Sequence, residues 1–163
     1  MKSCTIAALP YEKLSISKNE YEPNAILFKQ KLREIIWKLH CQGVDSFYCN
    51  CELGIPLWTA EIVCGLKKYN NISLNLCIPY EEQCREWAED LRDRYYRIHE
   101  NADDVQIVNQ QFHEGCYDSA DEVMADVSDV IIIFGEQSEY YYIADYAKAN
   151  GIPVEYINPS AIV

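Results

Sequence analysis

The chain has 163 residues, 49% of them hydrophobic, and its 14 Lys and Arg residues against 26 Asp and Glu residues give a formal net charge of −12. A chain of this length fits one domain, spanning residues 1–163, that buries roughly 70% of its unfolded surface. Its acidic charge argues against a nucleic-acid partner, and no apolar run approaches the roughly 20 residues of a membrane helix, so we expect a soluble, cytoplasmic protein without a membrane contact.

Short apolar runs alternate with amphipathic segments along the chain. The runs predict strands over residues 5–9, 46–49, 72–78, 105–108, 130–134 and 154–157. Helical spacing predicts helices over residues 24–41, 56–69, 119–127 and 139–149, and a long one from the break at Pro79 and Tyr80 to about residue 101. This alternation is typical of an α/β fold, a Rossmann-like three-layer sandwich with a mostly parallel sheet and helices on both faces. The continuous apolar run over residues 130–134 predicts a strand buried on both faces, which we expect at the centre of the sheet.

The eight cysteines would indicate a disulfide framework in a short secreted chain, but this chain is long and regular. Most of them fall on apolar faces of predicted elements, where a free Cys behaves as a small buried hydrophobe. The alternative is a zinc or redox site built from Cys49 and Cys51 with His40 and Cys41. Since no second Cys pair at ligand spacing accompanies them, we predict neither a metal site nor a cofactor.

Ligands in open parallel sheets bind at the carboxyl ends of the strands, where the strand order reverses. The helix predicted to start at Pro56 also has unsatisfied N–H groups that can hold a phosphate or carboxylate. We expect the strand ends to line one crevice. The predicted ligand-binding residues are Ala7, Ala8, Asn50, Cys51, Glu52, Gly54, Pro79, Tyr80, Gly135, Ser138 and Tyr140.

Other side chains indicate packing or association rather than catalysis. Trp58 and Trp87 are predicted core residues, and Glu61 is predicted to be an exposed helix carboxylate. The three successive tyrosines at residues 140–142 point in different directions on a helix, so at least one is exposed, either to stack on a ligand or to form the symmetric interface of a homodimer. No Ser/His/Asp or Cys/His set can be assembled from the spacing, and we predict no catalytic residue.

Four segments carry a family resemblance. Residues 53–61 are similar to a glycine loop followed by a Leu-Trp-Ala-Ala-Glu helix, and residues 79–87 are similar to a Pro-aromatic-x-x-Gln…Trp signature. Residues 124–134 resemble a Met-Val-Asp-x-Ser-Asp element with its strand, and residues 146–154 resemble a closing helix and strand. Together they resemble the YpsA-like branch of the SLOG superfamily of Rossmann domains. The resemblance implies a pocket for a nucleotide-derived ligand, in relatives that act as phosphoribohydrolases on nucleoside monophosphates or as ligand sensors.

The chain departs from that pattern where phosphate would bind. The branch has Thr-Gly-His-Arg-Pro where residues 6–10 read Ile-Ala-Ala-Leu-Pro, and Ser-Gly where Asn50 and Cys51 stand. Its loop carboxylate is replaced by Pro56, its Arg-Asn falls on residues 120–121, and its Gly-Gly-Thr-like turn falls on residues 135–139. Cations and glycines are thus lost, while Glu52 and Glu139 lie near predicted helix starts, where they repel phosphate.

Three functions follow in order of preference. The first is a non-catalytic sensor or interaction module with a nucleotide-derived small-molecule ligand. The second is an enzyme that cleaves the N-glycosidic bond of a nucleoside monophosphate, which requires an acidic residue beside the ribose and contacts to the phosphate. The third is a structural or oligomeric protein that has lost the site.

Overall fold

The computed structural model describes residues 2–13, 16 and 18–162. Within them six strands alternate with five α-helices, none of which is long and apolar enough to cross a membrane. The elements are β1 (Lys2–Ala8), α1 (Pro23–Cys41), β2 (Val44–Cys49), α2 (Ile55–Leu66), β3 (Ser73–Ile78), α3 (Glu89–Asn101), β4 (Asp104–Ile107), α4 (Cys116–Asp126), β5 (Val130–Phe134), α5 (Tyr142–Ala149) and β6 (Val154–Ile157).

The described strands form a sheet in the order β4-β3-β2-β1-β5-β6, in which every neighbouring pair is parallel. The chain moves outward from β1 to β4 and then crosses back to place β5 on the other side of β1. This reversal makes β1 the topological switch point, where a parallel α/β sheet opens a crevice at the carboxyl ends of its strands. The predicted Rossmann-like architecture is confirmed.

Helices cover both faces of the sheet. Helices α1, α2 and α3 pack on one face, and α4 and α5 pack together on the other. Strand β5 joins the two layers, because Val130, Ile132 and Phe134 enter the first core while Ile131 and Ile133 enter the second. The prediction that this strand lies at the sheet centre is wrong, since β6 alone lies outside it. Helices cover both faces of β5, which explains its continuous apolar run although the strand does not lie at the sheet centre.

Aromatic side chains hold the larger core together. The Phe28 ring of α1 contacts Trp58 of α2 and Phe134 of β5, each with ring centroids 5.9 Å apart. Trp58 is 2% exposed, which confirms it as a core residue. Trp87 is half-buried at the edge of this core and meets the Tyr95 ring edge-on at 5.3 Å.

The long helix predicted after Tyr80 is wrong in its first part. Residues 81–86 form turns with bonds between residues three apart, such as the N–H of Arg85 to the Glu82 carbonyl at 3.0 Å, and α3 follows them. The buried Gln83 side chain fixes this geometry. Its amide donates to the Asn50 carbonyl and accepts from the Tyr95 hydroxyl, both at 3.1 Å.

The two helices of the second layer also start elsewhere than predicted. Helix α4 starts three residues early, directly after Gly115, which has a φ of 90°. Helix α5 starts three residues late, because Tyr141 is extended with φ −133° and ψ 122°. Both shifts lie at the carboxyl edge of the sheet, where helix starts decide which side chains reach a ligand.

The cysteines are free thiols, and most are buried as predicted. Burial raises the pKa of Cys4, Cys49 and Cys77 to about 12, so these thiols keep their protons at neutral pH. Among the described residues no group of three or more His, Cys, Asp and Glu is placed to hold a metal ion.

Four charged residues form a network between the segment before α1 and helices α1, α2 and α3. Arg94 donates to both Glu20 oxygens at 2.6 and 2.9 Å and to both Glu61 oxygens at 3.2 and 2.6 Å. Lys29 pairs with Glu20 as well. Glu61, predicted to be an exposed carboxylate, is instead partly buried, with 35% of its side chain exposed, and Arg94 pairs with it from α3. Burial opposes the ionisation of Glu20, but the bonds from Arg94 and Lys29 outweigh it and lower the pKa of Glu20 to about 2.

We predict that Glu20→Gln lowers the free energy of unfolding at pH 7 by about 1–3 kcal/mol, because it removes charge-assisted hydrogen bonds. The native pKa of Glu20 lies below its usual 4.5, so the contribution is full above about pH 4.5 and is lost as the pH falls towards 2. Urea denaturation of both proteins across this range measures it. The control is Glu86→Gln, whose side chain is 91% exposed, and which we expect to change stability little. A deficit of Glu20→Gln that stays constant with pH would contradict the assignment.

Candidate ligand-binding crevice

A cavity of about 510 Å³ opens beside the carboxyl end of β1 at the switch point. This cavity is the crevice. Its lining comes from β1 and the residues after it, the β2–α2 loop, the first turns of α4 and the start of α5. The lining residues are Ala7, Ala8, Leu9, Pro10, Glu12, Asn50, Glu52, Leu53, Pro56, Tyr117, Asp118, Asp121, Tyr140, Tyr141, Tyr142 and Ile143.

The side chains of the turn after β2 point in different directions. Cys51 has a φ of 58°, a left-handed conformation that residues other than Gly, Asn and Asp seldom adopt, and its side chain is buried in the core. Asn50 stabilises the turn, because its Oδ1 accepts from the Glu52 N–H at 3.0 Å. The turn therefore sends Cys51 inward while Asn50 and Glu52 line the crevice.

The Glu52 carboxylate has two partners at the start of α2. One oxygen accepts from the Leu53 N–H at 2.8 Å, and the other accepts from the Tyr117 hydroxyl. Burial and the neighbouring Glu52 charge raise the pKa of Tyr117 far above its usual range, so its hydroxyl remains a donor. Glu52 thus links the β2–α2 loop to α4 across the crevice.

The three successive tyrosines all line the crevice, each in a different environment. Tyr140 is 74% exposed, which confirms that at least one is exposed, and Tyr141 is 8% exposed. The Tyr142 hydroxyl donates to Glu122 of α4 at 2.5 Å. The Tyr141 ring lies over Gly135, and its buried hydroxyl has no hydrogen bond of normal geometry among the described residues.

The crevice is acidic. Glu12, Glu52, Asp118 and Asp121 line it, and its described lining contains no Lys, Arg or His. Burial, together with the nearby Asp118 charge, raises the pKa of Asp121 to about 7. Unlike Glu52, Asp121 forms no hydrogen bond or ion pair with another described residue. The arrangement offers acceptors and aromatic rings, which suit a ligand rich in hydrogen-bond donors and disfavour an anion.

The structure brings together five of the predicted ligand-binding residues, namely Ala7, Ala8, Asn50, Glu52 and Tyr140. The expectation that all strand ends line one crevice is wrong for the ends of β3 and β5, since neither residues 79–80 nor residues 135–138 line it. Tyr80 lies in a separate groove of about 560 Å³ with Trp87 and Phe112. The Tyr117 ring, 6.3 Å from the Tyr80 ring, lines the crevice instead.

The remaining predicted residues lie outside the crevice for local reasons. Pro79 is buried, and Gly135 lies beneath the Tyr141 ring. Gly54, with a φ of 92°, adopts the conformation that starts α2 and lines a different depression beside Trp58. Ser138 is exposed and bonds Glu136, in a loop that is not helical, so neighbouring Glu139 does not lie at a helix start as predicted.

Sequence reasoning missed the contribution of α4. Tyr117, Asp118 and Asp121 come from its first turns, and the predicted helix started only at residue 119. Asp118 and Asp121 are three residues apart, a spacing that places two carboxylates on one helix face. The earlier helix start follows Gly115, whose left-handed conformation is a property of the structure, so the local pattern contained no signal for it.

Comparisons with known proteins show the family of this chain and the fold that it shares with solved structures. The model of the YpsA group, described as the YspA SLOG family, matches residues 11–162. UPF0398 protein SH1465 of Staphylococcus haemolyticus is 27% identical over 143 residues, which cover 85% of this chain and 76% of that protein. UPF0398 protein BH1768 of Halalkalibacterium halodurans is 31% identical over 116 residues, covering 71% of this chain and 61% of that protein.

Two solved structures share the fold. DNA processing protein A of Helicobacter pylori, described for its single-stranded DNA binding mode, superposes with a TM-score of 0.59 at 14% identity, covering 95% of this chain and 65% of that one. The X-ray structure of TM1055 superposes with a TM-score of 0.54 at 15% identity, covering 94% and 72%. At these identities the likeness concerns the fold alone.

We predict that Gly135→Ala distorts the crevice. A Cβ at this position would lie 1.6 Å from the Tyr141 hydroxyl oxygen, so the ring must move, and we expect a loss of about 1–3 kcal/mol in unfolding free energy. The control is Gly65→Ala, at an exposed position of α2 where an added Cβ would meet no neighbouring group within 4 Å. We expect this variant to raise the free energy of unfolding by about 0.5–1 kcal/mol. Thermal denaturation measures both, and equal stabilities of the two variants would contradict the packing of Tyr141 over Gly135.

Proposed function

This chain belongs to the YspA SLOG family, and from that premise we propose that it is a non-catalytic sensor or interaction module whose crevice binds a nucleoside-type ligand without a phosphate. One observation carries the proposal. The crevice at the switch point combines tyrosine rings with carboxylate acceptors, and its described lining has no cation. Its volume of about 510 Å³ is in the usual range for small-molecule sites.

Each part of a nucleoside has a matching group in the crevice. The exposed Tyr140 ring offers a face on which a base can stack. The Asp121 carboxylate lacks a partner among the described residues, and a ribose hydroxyl is a donor that suits it. The Asn50 side chain adds an amide donor at the same edge.

The same groups disfavour phosphate and nucleic acid. Four carboxylates in one crevice repel an anion, and the net charge of −12 extends that repulsion over the surface. Single-stranded DNA binding is described for the Helicobacter pylori protein, but the likeness to it is one of fold. We therefore propose a small molecule, not a polyanion, as the ligand.

Three expectations from the sequence remain proposals. The single domain over residues 1–163 is one, since the relatives extend beyond the matched region. A cytoplasmic location is supported by the free thiols, which persist in a reducing compartment. A homodimer is supported by exposed apolar residues on α1, including Ile26, Leu27 and Trp37.

A second candidate function is hydrolysis of an N-glycosidic bond. It is favoured by Asp121, whose raised pKa of about 7 suits a general acid at neutral pH. Asp118, three residues away on α4, supplies a second carboxylate. The described lining has no cation to hold the phosphate of a nucleoside monophosphate, which is why this function ranks second.

We predict that adenosine or another nucleoside raises the melting temperature of the purified protein, whereas the corresponding monophosphate raises it less. A ligand at about 100 times its dissociation constant adds about 2.7 kcal/mol, which corresponds to roughly 5 °C or more. The panel includes the four nucleosides, their monophosphates, ADP-ribose, NAD and inorganic phosphate. The absence of any shift would favour a structural protein without a ligand, and a preference for the monophosphates would refute the proposed ligand class.

We predict no release of free base when the protein is incubated with nucleosides or nucleoside monophosphates and the mixture is separated by chromatography. Release of base that Asp121→Asn abolishes would establish the enzyme instead. The matched variant is Glu12→Gln, which removes a carboxyl group from the crevice at a position outside α4. Base release that both variants retain would indicate a contaminating enzyme.

A further inference from the structure

A carboxylate of the protein itself, that of Glu52, lies next to the start of α2. Helix N-termini bind phosphate because their N–H groups lack partners within the helix and carry partial positive charge. Here the Glu52 carboxylate accepts from the Leu53 N–H at 2.8 Å, in the loop two residues before α2 begins at Ile55, and it lines the crevice. We propose that Glu52 determines ligand selectivity, because its carboxylate occupies the position that a ligand phosphate would take. This inference rests on the proposed function for the location of the ligand.

The loop holds Glu52 in place by both of its backbone groups. Its N–H donates to Asn50 Oδ1 at 3.0 Å, and its carbonyl accepts from the Leu57 N–H at 3.0 Å. The side chain is then fixed by Leu53 and by Tyr117. A residue with this many bonds lies at a defined position rather than at the end of a mobile side chain.

Removal of the carboxylate would leave suitable donors for an anion. The Leu53 N–H and the Tyr117 hydroxyl would both lose their acceptor. Both donors belong to residues that line the crevice, whereas Gly54 and Ile55 at the start of the helix do not line it. A phosphate at this position could accept from both of these donors and would take the place of the Glu52 carboxylate near the positive end of α2.

The selectivity of Glu52 differs from general repulsion by the acidic crevice. Glu12 also lines the crevice, and its removal changes the charge by the same amount. It lies in the short turn after β1, however, and forms no hydrogen bond with a described residue at the start of α2. Comparison of Glu52→Ala with Glu12→Ala therefore separates the effect of freeing the donors bonded by Glu52 from the effect of removing a negative charge.

The experiment measures the binding of AMP, inorganic phosphate and adenosine to the wild type and to both variants by calorimetric titration. We expect Glu52→Ala to bind AMP about tenfold or more tightly than the wild type, and to bind inorganic phosphate measurably, because charge-assisted hydrogen bonds of this kind are strong. We expect Glu12→Ala to change AMP affinity by less than about threefold. Equal gains in the two variants would overturn the proposal and leave only a general charge effect.

Two further measurements keep the outcomes distinct. Glu52→Gln keeps the size of the side chain and an oxygen for the Leu53 N–H, so it serves if Glu52→Ala fails to fold. We expect it to gain AMP affinity to a smaller degree, and no gain in either folded variant refutes the role of Glu52. Adenosine binding by the wild type tests the proposed function separately. If adenosine binds to the wild type and AMP affinity is unchanged in the variants, only the proposed role of Glu52 in selectivity is wrong. If phosphate binds to Glu52→Ala while adenosine binds to none of the proteins, only the proposed ligand class is wrong.

Discussion

The pairing of β1 with β2 on one side and β5 on the other is the constraint on which the rest of this structure depends. Because the chain reaches these two neighbours by moving in opposite directions, the loops after them diverge and leave the carboxyl end of β1 open. Ala7 and Ala8 end that strand with small side chains. The return from β4 to β5 also delivers the first turns of α4 to the same opening, which gives the crevice its second wall.

A crevice of this kind usually exposes helix starts to a ligand, but here the Glu52 carboxylate lies in the loop just before the start of α2. Glu52 accepts from a loop N–H and from Tyr117, and Gln83 binds the Asn50 carbonyl from beneath the same loop. The result is a rigid opening whose polar groups are largely acceptors. Asp121 stands apart because burial and Asp118 raise its pKa to about 7 and no described residue bonds it. Rigid acceptors and one unpaired carboxyl group together favour a donor-rich, uncharged ligand over a phosphate.

The local hydrophobic pattern predicts the bounds of an element well where a continuous apolar segment faces the core. Strands β5 and β6 have the bounds predicted from their apolar runs, and α1 differs from its prediction by one residue. The pattern failed over residues 81–86, where apolar spacing indicated a helix and the side chain of Gln83 holds turns instead. Of the site, the strand ends that supply Ala7, Ala8, Asn50 and Glu52 could be predicted, because carboxyl ends of parallel strands share one edge. The α4 residues could not, since their helix start depends on a left-handed glycine and on the crossing from β4.

By itself the sequence determined the alternation of strands and helices, the parallel three-layer fold, the family and the acidic character of the surface, because hydrophobic period and charge are properties of neighbouring residues. Only the tertiary structure decided that Cys51 turns inward, that Tyr80 faces a different groove, and that Tyr117 bonds Glu52 from 65 residues away. It likewise decided that Glu61 is paired, through Arg94, which is 33 residues distant. The physical reason is that burial, hydrogen bonding and pKa depend on groups brought together by the sheet order, and that order is set by packing across the whole chain.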